Sequence, residues 1–306
     1  MFISKDQKRK AYFLILTLVG VSLFLGSFIH LQAQSVTKLE EKLAQTQSEL
    51  KKLFEIKDDT QISPEEKEKL EKELRLKIIL EIIEISQTQL EELKHNWEKI
   101  PNFPLSEDWQ KVKEFFLKKI DESQGYWESQ KAYLKEKEGE LTTKDLKDLA
   151  KKIEEDKKSQ IDPLIEQSSE IFMVFDLTEI LEIANQRLEK IRVDVNKIYS
   201  KKMTQSPTLK NLLTQASDYL DQAQQYNDRS KELILHLYDP QEKDLADIQN
   251  LIEEVRKQLR KTKGDFSLQE EGQDYIRELI LLAFGKVKSS YELFLKMSTL
   301  AKQLII

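Results

Sequence analysis

The sequence predicts an all-α protein: an N-terminal transmembrane helix followed by an elongated antiparallel helical bundle or coiled-coil array. Three observations predict it. Ala11 to Leu31 is a run of twenty-one residues without formal charge, in a chain that is otherwise rich in charge. Seven glycines and six prolines in 306 residues leave little material for β-turns. Apolar residues recur at spacings of three and four, the period of a helix and not the alternation of a strand.

The first element is the uncharged run. A bilayer core of about 30 Å needs about 20 apolar residues in a helix. Tyr12 through Ile29 supply them, and Gly20, Ser22, Gly26 and Ser27 are tolerated because a helix satisfies its own backbone. Lys5, Lys8, Arg9 and Lys10 precede the run, so residues 1–10 read as a cytoplasmic basic tail and residues 11–31 as a transmembrane anchor. Residues 32–306 are then extracytoplasmic. The alternative is a signal segment cleaved near Ala33, giving a secreted protein. Secretory apolar regions run about 7–15 residues, and this one is longer, which favours the anchor. The chain has no cysteine, which excludes a lipoprotein anchor and disulfide stabilisation.

The next elements are helices. Val36, Leu39, Leu43, Leu50 and Leu53 fall on a heptad seam, with Thr46 as the exception, and make residues 32–57 a juxtamembrane coiled-coil helix. Residues 58–160 form a first bundle segment and residues 161–306 a second. Ser63-Pro64, Asp162-Pro163, Ser206-Pro207 and Asp239-Pro240 each pair an N-cap side chain with proline at the first helical position. Ser106 and Thr142 precede acids in the same manner, and Pro101 and Pro104 force a non-helical link around Asn102-Phe103. The expected helices are 36–57, 64–99, 107–137, 143–159, 163–200, 207–238, 240–262 and 268–305, with a break in the fifth at Asp176–Glu179. Glu65/Lys69, Glu68/Lys72 and Glu73/Lys77 are i,i+4 pairs worth about 0.2–0.5 kcal/mol each and mark a solvated face. Ile78–Ile83 and Leu279–Phe284 are apolar on more than one face, as central bundle helices are.

Composition and motifs exclude most chemistry. The chain is −6 overall and residues 1–10 are +3, so the rest carries −9, which argues against nucleic acid as a partner. No phosphate loop, dinucleotide fingerprint or nucleophile elbow is present. Glu92-x-x-His95 is half of a di-iron motif, but His236, the only other histidine beyond the anchor, has Leu233 where the second glutamate belongs. No metal, cofactor or catalytic residue is therefore expected. The basic cluster Arg256–Lys263 complements a helix C-terminus. Aromatics concentrate between residues 97 and 133. Helical spacing of Trp109, Val112, Phe116 and Ile120 favours core packing, and the sharper alternative is a partner surface of Trp97, Phe103, Trp109 and Trp127.

In style the chain resembles the helical extracytoplasmic regions that precede large mechanosensitive channels, and single-span bacterial coiled-coil proteins. The shared features are the anchor, the Lys/Glu/Gln-rich heptads and the Ser63-Pro64-Glu65-Glu66 type of helix start. No channel-forming segment follows, so channel activity is not implied. The expectation is a membrane-anchored extracytoplasmic scaffold or protein-interaction protein, not an enzyme, with a protein partner or self-association. The alternative is a sensory or ligand-binding bundle coupled to a membrane partner such as a channel or receptor.

Overall fold

The computed structural model describes residues 33–58, 61–100, 106–200, 207–238, 249–250, 252–257, 260 and 272–305. Among them are α1 (Ala33–Asp58), α2 (Pro64–Lys99), α3 (Glu107–Lys137), α4 (Thr143–Asp156), a π-helical turn (Lys157–Ile161), α5 (Asp162–Ser200), α6 (Pro207–Tyr238) and α7 (Gly272–Ile305). Residues 252–257 are also helical, and no strand occurs among the described residues, so the fold is all-α. The proposed anchor, residues 11–31, lies outside the described residues. No helix among those described is long and apolar enough to cross a membrane.

The caps explain most boundaries. Ser63 is extended, with φ −63° and ψ 152°, and its hydroxyl accepts the Glu66 N–H at 3.3 Å while Pro64 opens α2. Thr142 and Asp145 form a complete capping box at the start of α4. The Thr142 hydroxyl and backbone N–H hold the Asp145 carboxyl below its usual pKa. Thr142→Ala is therefore expected to lower stability by about 1 kcal/mol. Gly125, exposed in the middle of α3, has open space where a Cβ would stand. Gly125→Ala is expected to raise stability by about 0.5–1 kcal/mol. Urea midpoints of the two variants moving in the same direction would contradict this pair.

Two expected breaks are absent. Asp162-Pro163 does not start a new helix, because Asp162 is itself helical at φ −57°, ψ −45°. The chain passes from α4 to α5 through the π turn, where the Asp162 N–H reaches Lys157 O. Widening the backbone there accommodates a proline that lacks an N–H and crowds the carbonyl four residues before it. Asp176–Glu179 stays helical too, with the Thr178 hydroxyl donating back to Val174 O at 2.8 Å.

The chain forms two compact units. Of the described residues, the first comprises those up to 100 and 116–165, the second those of 106–115 and from 166 onward. In the first, α1 packs antiparallel along α2. Residues 116–137 of α3 also run antiparallel to α2, with Lys94 bonded to Asp121 and Glu84 to Lys131. Nothing on α2 from Ile78 to Leu90 is exposed, as a central helix requires. Ile79, Ile83, Ile85, Trp97, Phe116, Ile120, Trp127, Leu134, Leu146 and Ile153 fill the core.

In the second unit α6 packs on α7. The Ser290 hydroxyl donates to Ala216 O at 3.2 Å and the Lys286 ammonium lies over the Tyr219 ring at 5.2 Å, which fixes an antiparallel pair. Asn227 reaches Thr178 of α5, and Arg187 of α5 lies over Tyr291 of α7. The Leu279–Phe284 stretch differs from expectation. Leu279, Ile280 and Ala283 are buried, Leu282 and Phe284 are half-buried, and Leu281 is 53 % exposed. Among the described residues, α5, α6 and the 252–257 segment all reach α7, and Leu281 stands on its exposed side.

Candidate functional site

The four aromatic candidates separate. Trp97 is 1 % exposed and stacks on Phe116, with ring centres 4.8 Å apart and planes 16° from parallel. Trp127 is fully buried, edge-on to Tyr126 at 5.5 Å. Neither offers a surface to a partner, which corrects that reading for these two. The reason is the stripe Val112, Phe116, Ile120 of α3, which is wholly buried and carries the face of Trp127 inward with it. Trp109 is half-buried against Phe175, and Phe103 lies outside the described residues.

A polar seam runs along the α1–α2 contact instead. Glu49 is 5 % exposed, and its Oε1 accepts from Lys77 Nζ at 2.7 Å and from Lys52 Nζ at 3.2 Å. The Lys77 hydrogen bond is the main cause holding the Glu49 carboxyl below its usual pKa. One turn further, Gln45 donates to Glu81 at 2.8 Å, and burial pushes the Glu81 carboxyl up. Glu84 then accepts from Lys131 of α3 at 2.9 Å and pairs with Lys42 of α1 at 3.6 Å. Glu71 joins α2 to α4 through Lys147 at 3.2 Å. Beside the seam, an open groove of about 560 Å³ is lined by Glu49, Lys52, Glu55, Ile56, Leu70, Glu73, Leu74 and Lys77. Its two lysines are both engaged by Glu49, so the lining is mixed in character.

The second unit holds a buried carboxyl. Glu170 of α5 is 4 % exposed, and its Oε2 has no hydrogen-bond partner. Burial, reinforced by Glu166 and Asp274 and opposed by Arg277, pushes its pKa up to about 8. Arg277 pairs with Glu166 at 3.3 Å. A neutral carboxyl at physiological pH can exchange a proton.

Histidines add nothing to this group. His95 is exposed on α2 and His236 half-buried on α6. No cluster of three or more His, Asp or Glu side chains able to hold a metal ion occurs among the described residues. Sequence reading missed the seam and Glu170, although both carried a signal. Glu49 lies four residues before Leu53 and seven before Ile56, and Glu170 lies four before Val174 and seven before Leu177. Each is an acid on an apolar stripe. No family model, no curated protein and no solved structure matches this chain.

Proposed function

We propose that the protein is a membrane-anchored extracytoplasmic scaffold whose helical bundle segments, following in series after residue 31, present surface to other proteins. The observation that carries the reading is the uncharged run Ala11–Leu31 behind Lys5, Lys8, Arg9 and Lys10. Supporting it, the described helices spend their charged side chains on one another, as in the Glu49 and Glu84 clusters, and keep large apolar side chains such as Leu295 at the surface. A sensory or ligand-binding role, coupled to a channel or receptor in the same membrane, is the second reading. The groove beside Glu49 favours it.

Topology tests the proposal. A reporter active only outside the cytoplasm, fused after Ile306, is expected to be active. Lysines at Val19 and Phe24 are expected to release the chain from the membrane, since each costs about 2.5–3.5 kcal/mol at a helix centre. Activity of a cytoplasm-only reporter in the same place would overturn the reading. The mass of the membrane-bound chain distinguishes an anchor from cleavage near Ala33.

A further inference from the structure

The outer face of α7 carries an unusual pattern. Leu281 is 53 % exposed and Leu295 is 71 % exposed, the most exposed large apolar side chain among the described residues. Between them Gly285, Lys288 and Glu292 are exposed on the same face, and Thr299 follows one turn after Leu295. The spacing alternates four and three, so these positions form one straight seam along the helix. A Cβ placed on Gly285 would meet nothing within 4 Å, so the seam has a hole as well as knobs.

We propose that this seam is a homodimer interface, in which α7 of one copy lies antiparallel on α7 of a second. The proposal deepens the scaffold reading by naming a partner, the chain itself. Self-complementarity carries it. With the two-fold axis at residue 290, Leu295 of each copy stands over Gly285 of the other. Lys288 of each copy faces Glu292 of the other, and Leu281 faces Thr299. A two-fold contact must satisfy every pairing twice with the same surface, and this seam does so in size and in charge. Parallel pairing fails on both counts. It sets Lys288 against Lys288 and Glu292 against Glu292, and leaves a gap where two glycines meet. Charges in the middle of the seam also exclude a lipid surface as its cover.

Lys288 and Glu292 are available for this role. Neither makes an ion pair with another described residue, and within one helix a lysine preceding a glutamate by four is the weaker order.

The absence of cysteine makes the test clean. In the full chain, purified in detergent, Lys288→Cys/Glu292→Cys is expected to form an intermolecular disulfide under mild oxidation. Leu281→Cys alone is not, because its two copies would stand about 27 Å apart at 1.5 Å per residue. By sedimentation, Lys288→Glu is expected to weaken the dimer at least tenfold, and Lys288→Glu/Glu292→Lys to restore it. Gly285→Gln fills the hole and is expected to abolish the dimer while leaving the melting temperature unchanged or higher. A chain that stays monomeric, a dimer indifferent to Lys288→Glu and Gly285→Gln, or efficient cross-linking through Leu281→Cys would each overturn the proposal. None of these readouts depends on membrane retention, so they fail separately from the topology test.

Discussion

Trp127→Ala is expected to cost about 3–5 kcal/mol. The indole is fully buried and has Tyr126 against it edge-on, so its removal leaves a cavity of aromatic size. Trp127→Phe separates packing from polarity. The indole Nε1–H has no hydrogen-bond partner, so phenylalanine removes a buried unpaired donor while keeping most of the volume. That variant is expected to lose no more than about 1.5 kcal/mol. Urea unfolding followed by circular dichroism reads both. A phenylalanine variant as unstable as the alanine one would mean that the indole nitrogen is held by a group it does not reach in this structure.

The second large effect belongs to Glu170. Its folded pKa of about 8 stands well above the ordinary 4.5. The folded state therefore favours the protonated carboxyl, and folding takes up a proton between those two pH values. Stability of the second unit falls as pH rises through that window and levels off above it. Glu170→Gln is expected to match the parent near pH 4 and to exceed it by about 2–4 kcal/mol at pH 7.5, at 1.36 kcal/mol per unit. Burial sets this window, with Glu166 on α5 and Asp274 on α7 widening it and Arg277 on α7 narrowing it. Thermal unfolding at a series of pH values measures it. Parallel curves for parent and variant from pH 4 to 8 would show the carboxyl to be solvated.

Much of the helical order was legible because caps are local. Ser63-Pro64 and Thr142-x-x-Asp145 state their helix starts within four residues, and α2 and α3 begin and end where the pattern places them. Asp162-Pro163 misled because the same dipeptide serves an N-cap and a π turn, and only the backbone before it decides between them. The i,i+4 reading of Glu73/Lys77 as a solvated pair missed that Lys77 reaches across to Glu49. Periodicity along one helix carries no information about which charge a neighbouring helix will supply. Thr46, the exception in the α1 heptad, is 3 % exposed, so the seam tolerates it by returning its hydroxyl to Lys42 O at 3.0 Å. In the Leu279–Phe284 stretch every residue is apolar, so the pattern gave no way to tell buried Ile280 from exposed Leu281.

The antiparallel α1–α2 hairpin has a mechanical consequence. Residue 33 and Lys99 lie at its open end, and the turn around Ser63 closes the other. Tension applied between those ends does not shear the whole contact at once. It loads the bonds one turn at a time, first Lys42 to Thr88 and Glu84, then Gln45 to Glu81, then Glu49 to Lys77. A hairpin pulled in this geometry opens like a zip, yielding extension at low, nearly constant force. A pull on the N-terminal side of α1 would thus be absorbed as lengthening before it reached the core around Trp127.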